Sequence, residues 1–323
     1  MKIDEHPAST FMKKPAANRT RLADLALLFV AFMWGCTFLI VQHAVRVLPP
    51  LAFNGIRFIG AALLLALIIS MFYRQEWKQL SWRMMGHAAL LGLFLFLGYT
   101  FQTVGLLYTS TSNAGFITGL SVVIVPFLSF WLLKHQISRF TWISAILAAA
   151  GLYLLAFAGS SGLVLNLGDA LVFLCAVGFG LHVAYTGVFA PRYPALPLAS
   201  LQMAVVGVLS AAGSLLFERT ASWSETAGQL MQPEVWLALL VSIGPTSAFA
   251  FWIQTVCQKF TSPSRVAVIF AMEPVFAAAT GVLFGGEQLG WATGLGCLCI
   301  LGGMLLAELK SGGVESESPE SVG

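Results

Sequence analysis

Ten runs of predominantly apolar residues divide this chain, each close to the about 20 residues that a helix needs to cross bilayer hydrocarbon. They are Asp24–Gln42, Leu51–Phe72, Met84–Leu106, Asn113–Leu133, Thr141–Ala158, Asp169–Ala190, Leu198–Phe217, Val235–Cys257, Ser264–Gly285 and Trp291–Leu309. Breaks with turn chemistry separate them, among them LPPL, GSSG, PRYPALP and FGGEQLG. With 58% hydrophobic and 10% charged residues, the chain has too little polar surface to clothe a water-soluble core. The runs therefore face lipid, and the expected fold is an all-α membrane protein of ten transmembrane helices.

The basic residues test that count. Five lie in residues 1–23, and Arg74, Lys78, Arg83, Lys134, Arg139, Arg192, Lys259, Arg265 and Lys310 fall in segments on the same side. The opposite side carries Arg46 and Arg219, and Arg57 lies inside the second span. Fourteen against two is a strong positive-inside bias, which predicts both termini in the cytoplasm and a multi-pass chain in the cytoplasmic (inner) membrane. Residues 1–23 read as a retained tail without a cleavage site, and 310–323 as an acidic, disordered one. A net charge of +3 gives no sign of nucleic-acid binding. The five cysteines fall in apolar runs without paired Cys-x-x-Cys spacing and read as small buried hydrophobes, so no metal or cofactor is expected.

A polar phrase occurs twice: FQTVGLLYTSTS from Phe101 and IQTVCQKFTSPS from Ile253. An ungapped shift of 152 residues aligns 102–154 with 254–306 and keeps Gln102/Gln254, Thr103/Thr255, Thr109/Thr261, Ser112/Ser264 and Gly151/Gly303. The first spans correspond at another offset, through Asp24/Asp169, Ala31/Ala176 and Gly35/Gly180. The chain thus reads as a five-helix unit at 24–158 duplicated at 169–309. Five is odd, so the second copy enters the membrane upside down, the arrangement that alternating access exploits. The Ser and Thr of the phrase suit helix caps, while Gln102 and Gln254 suit either interhelical bonding or a cavity.

Few polar side chains interrupt the spans. Glu273, near mid-bilayer in span nine, is a candidate substrate or proton site, or a buried interhelical contact. Pro274 beside it, Pro126 in span four and Pro245 in span eight are expected bends. Arg57 can bind a substrate carboxylate, pair with Glu273 or snorkel to headgroups. His182, in the place of Thr37 under the first-span alignment, is a coupling candidate or a satisfied hydrogen-bonding residue. Trp34, Tyr99, Tyr185 and Trp252 can wall an organic substrate, Phe251 shares the place of Tyr99 under the 152-residue shift, and Thr37 and Ser121 are further cavity candidates. Small residues in spans five and ten suit close helix packing or a dimer face, leaving monomer and homodimer both open.

Trp34-Gly35 with Thr37-Phe38, Arg57-Phe58, Tyr108-Thr-Ser through Asn113-Ala114, Glu273-Pro274-Val275-Phe276 and Gly286-Glu287 occur in an order that resembles the EamA-type carriers of the drug/metabolite transporter superfamily. The resemblance runs from Asp24 to Leu309, but the first copy has Ser121 and His135 where the second has Glu273 and Glu287. It implies a carrier of small polar metabolites, often amino acids and often exporting, with a cavity lined by spans one, three, four, six, eight and nine.

A channel would need a continuous polar pore or charged ring, and an intramembrane enzyme a nucleophile with its base or a metal constellation. Neither pattern is present, and no Gly-x-Ser-x-Gly or His-Glu-x-x-His occurs. The expected function is secondary transport of a small organic metabolite, with lipid around it and possible proton coupling. Multidrug efflux and a non-transporting scaffold are the alternatives.

Overall fold

The computed structural model describes residues 17–109, 111–131, 137–157, 166–218, 223–284 and 290–311. His135, Glu287 and most of the two tails lie outside them. All regular structure among the described residues is helical. Single helices form spans one (Ala17–Val47), two (Pro50–Phe72), three (Trp82–Gly105), five (Arg139–Phe157), six (Leu167–Phe189), seven (Ala195–Phe217) and ten (Trp291–Ser311). The first begins at Ala17, inside the segment expected to be tail. Seven helices are long and apolar enough to cross a membrane; spans five and ten give shorter apolar helices, and span nine is in two pieces.

The two halves interlock, since spans two and seven, five and ten, and three and six pack along their lengths. Gly55 packs on Ala211, and its counterpart Gly207 on Ile59, the counterpart of Ala211. A Cβ on Gly151 would meet Gly296 O, and one on Gly303 would meet Ser144 O, again exchanged positions. The contacts therefore obey a two-fold exchange of the halves. Because the small residues of spans five and ten bring their backbones together, those stripes are occupied within the chain.

Three spans are irregular. Span four crosses as one stretch, Ala114–Trp131, with its helix interrupted at the single residue Leu120, between Thr111–Gly119 and Ser121–Trp131, and span nine breaks at Ala271–Met272, between Pro263–Phe270 and Glu273–Phe284. Leu120 and Met272 are repeat equivalents, although Pro274 corresponds to Val122, so proline is not what the break requires. Pro126, an expected bend, lies inside the helix Ser121–Trp131. Its missing N–H costs one bond, to Val122 O, without ending the helix. Span eight runs Pro233–Ile243, then one wide π-turn, Gly244–Phe249, then Ala250–Cys257. Ser262 caps span nine by accepting from Arg265 N, as expected of the repeated Ser/Thr phrase.

Candidate functional site

The π-turn organises the site. Pro245 has no N–H to give Val241 O, and the Thr246 hydroxyl donates to that carbonyl instead, at 3.4 Å. The turn then widens, and Ala250 N–H bonds to Pro245 O and Ser247 O, passing over Thr246 O. That released carbonyl accepts from Trp34 Nε1 at 2.9 Å and from Arg57 Nη2 at 3.4 Å. Ser247 Oγ accepts from Arg57 Nε at 2.7 Å.

Arg57 is thus held inward at 4% exposure, which removes snorkelling from its possible roles. Its guanidinium lies 4.8 Å from the ring centroids of both Phe58 and Tyr99, close enough for cation–π attraction. The Glu273 carboxylate is within electrostatic range of Arg57, Tyr99 and Cys175. Among the described residues, however, it has no ion pair or hydrogen bond. Glu273 opens the second half of span nine, where the helix N-terminus favours its negative charge. A Cβ on Gly35 would strike Glu273 O and Phe276 Cβ, so the glycine lets span one lie directly on this break.

Aromatic rings fill the two-fold exchange. Trp34 packs on Phe251 at 5.5 Å and Phe179 on Tyr99 at 5.0 Å, while Tyr99 and Phe251 meet at 6.2 Å. Trp34 and Phe179 are equivalents in the first-span alignment, as Tyr99 and Phe251 are under the 152-residue shift. Phe251 is the ring that meets Tyr99, while Trp252 packs against the same cluster and edge-on to Phe249. The reason is helical phase: adjacent residues point about 100° apart.

The other predicted residues divide. His182 is buried, with Nε2 at 2.8 Å from Gln202 Oε1 and 3.3 Å from Thr186 Oγ1, and its ring is edge-on to Phe251. Gln102 donates to Thr118 Oγ1 at 3.4 Å, and Gln254 donates to Gln258 Oε1 at 3.1 Å while its own Oε1 has no partner. Ser121 opens the second half of span four, as its equivalent Glu273 opens that of span nine. Thr37 donates to the Met33 and Trp34 carbonyls of its own helix. Tyr185 packs on Phe94 and Phe189, away from Tyr99. Sequence reasoning missed Thr246 and Ser247, whose signal was their position just after Pro245, and Gln202, a lone amide in an apolar run.

An all-helical bundle of interlocked halves, with interrupted helices and the buried Arg57 near Glu273, has the build of a multi-pass membrane transporter. The EamA-like transporter family profile matches residues 21–157 and again 166–309, and the chain belongs to that family. An "uncharacterized transporter" of Archaeoglobus fulgidus is 33% identical over 289 residues, covering 89% of this chain and 86% of its own. Bacillus subtilis YvbV, an "uncharacterized transporter", is 26% identical, covering 91% of this chain and 93% of its own. Escherichia coli K12 YedA, an "uncharacterized inner membrane transporter", is 26% identical, with 82% and 83% covered. A solved crystal structure superposes with a TM-score of 0.73 over 92% of this chain and 99% of the other at 20% identity, a likeness of fold.

Proposed function

We propose that this transporter is a secondary carrier for a small zwitterionic metabolite, an amino acid or close relative, moved outward by alternating access. The observation that carries the reading is the pair of charges Arg57 and Glu273. They lie within electrostatic range, each on a different span and neither in an ion pair among the described residues. A charge left inside a membrane protein without a counter-ion costs several kcal/mol. A zwitterion answers both: its carboxylate meets the guanidinium fork, which has five donors, and its ammonium meets Glu273. Asn54 Oδ1 and Gln254 Oε1, buried without hydrogen-bond partners, are further acceptors in the second and eighth spans.

The aromatic rings give an organic side chain an apolar surface, and the breaks at Leu120 and Met272 give each half a joint at the same place. The basic-residue bias supports cytoplasmic termini, and the inner-membrane description of YedA supports the same location. Reconstituted protein in liposomes, given labelled amino acids with and without a pH gradient, tests the proposal. Saturable flux that competes with free zwitterion, and not with the matching amine or carboxylic acid alone, is expected. Flux that survives both Arg57→Ala and Glu273→Gln unchanged would sink it.

A further inference from the structure

Two carboxylates tie the halves together at opposite ends of the bundle. At one end Asp24, near the start of span one, accepts from Arg265 Nη2 at 2.5 Å and from Thr261 Oγ1 at 3.5 Å. At the other, Asp169, in the first turn of span six, accepts from Thr109 Oγ1 at 2.5 Å. Asp24 and Asp169 are equivalents in the first-span alignment, and Thr261 and Thr109 are equivalents under the 152-residue shift. The same contact is therefore made twice, each time between the two halves. Five spans lie between Asp24 and Asp169, so in a ten-span topology the two contacts sit on opposite membrane faces.

The two faces are not held equally. Asp24 receives both of these bonds from the other half, and one is an ion pair whose side chains are only 8% and 11% exposed. Asp169 receives one from the other half and uses its second oxygen to accept from Asn166 N in its own capping box. The first-half counterpart of Arg265 is Asn113, which carries no charge. A small cleft of about 30 Å³, room for about one water, lies against the ion pair, lined by Asp24, Leu25, Leu28, Arg265, Ile269 and Met304.

We propose that these contacts are the two latches of the transport cycle: Asp24 with Arg265 and Thr261 holds one face shut, Asp169 with Thr109 holds the other, and the two release in turn. The inference rests on the alternating-access reading above and adds the positioning residues that set its balance. Opening either face separates the halves there, so it must break that face's cross-half bonds while the opposite set persists. Losing a latch shifts the population toward the face it held, and the opposite face closes more often.

Hydrogen–deuterium exchange on the full chain in lipid nanodiscs, without substrate, tests this by comparing wild type with Arg265→Gln and Thr109→Val. The valine leaves the Asn166–Asp169 capping box in place. Arg265→Gln is expected to raise amide exchange about tenfold at 261–269 and 22–28 and to lower it at 105–109 and 166–172, in line with loss of a charge-assisted hydrogen bond. Thr109→Val is expected to do the reverse by about threefold, as for a neutral bond. If Arg265→Gln does not fold, Thr261→Val must give its pattern at smaller amplitude, and the double variant Thr109→Val/Thr261→Val must return toward wild type. Changes confined to the mutated end, or a rise at both ends, would overturn the latches, because purely structural ties predict those results. Flux is read separately: saturable transport without reciprocal exchange removes the latches and keeps the carrier, while reciprocal exchange with no flux of any amino acid keeps the latches and removes the cargo.

Discussion

Spans one, two, eight and nine occupy places equivalent to spans six, seven, three and four, yet the two sets carry different chemistry. In the first set Arg57 and Glu273 stand where the second has Leu209 and Ser121, and a π-turn replaces the unbroken helix around Gly92, the counterpart of Gly244. The second set answers with the amide of Gln202 and the imidazole of His182. What both sets share is mechanical: the helix breaks at Leu120 and Met272, the glycine contacts and the aromatic pairs around Tyr99 and Phe251. On the proposed reading, symmetry is kept where two equivalent halves exchange positions, and lost where an asymmetric ligand is bound.

The hardest test of that contrast is Arg57→Ala. It removes a buried cation bonded to Ser247 and Thr246 O, and amino-acid flux in proteoliposomes is expected to fall about 100-fold or more, with Arg57→Lys recovering little. At the equivalent place in the other set, Leu209→Ala should change flux less than about threefold. Next, Glu273→Gln is expected to lower flux about tenfold, whereas Ser121→Ala, its counterpart, stays within about twofold. Equal effects at the two positions would erase the chemical asymmetry. Ser247→Ala, which leaves Arg57 Nε without its acceptor, is expected to raise the half-saturating substrate concentration roughly fivefold to tenfold, measured in the same assay.

The smallest effect concerns packing. Gly35→Ala places a methyl against the Glu273 backbone, while Gly180→Ala meets the Ile124 side chain at 2.9 Å, which can turn aside. The first is expected to lower the thermal midpoint in detergent by several degrees, and the second by less than half as much. A larger loss at Gly180 would show that the two sets are not packed as described.

Much of this was legible along the chain. The spans followed from apolar length, and the duplication from polar matches in one ungapped frame, since Gln102, Thr103 and Thr109 would not recur by chance among apolar residues. Glu273 and Arg57 stood out because charge inside a span is rare. The details around them were less legible. Trp252 reads as a wall residue because tryptophan carries a polar handle, and Phe251 as the counterpart of Tyr99, yet how two adjacent residues face the centre depends on rotation of the helix about its axis. Pro126 reads as a bend by residue type, but nothing in residue type points to the interruption at Leu120, whose N–H is shared between Phe116 O and Ile117 O.

The sequence by itself determined the number of spans, the duplication and the short list of costly polar residues, because lipid demands apolar length and penalises each exception. Only the tertiary structure decided that Pro245 releases Thr246 O toward Arg57 and Trp34, and that Asp24 and Asp169 each reach across to the other half. Those contacts join residues far apart in the chain, from Arg57 with Ser247 to Asp24 with Arg265. Helical phase and the mutual placement of spans set them, and neither is written in the local pattern of apolar and polar residues.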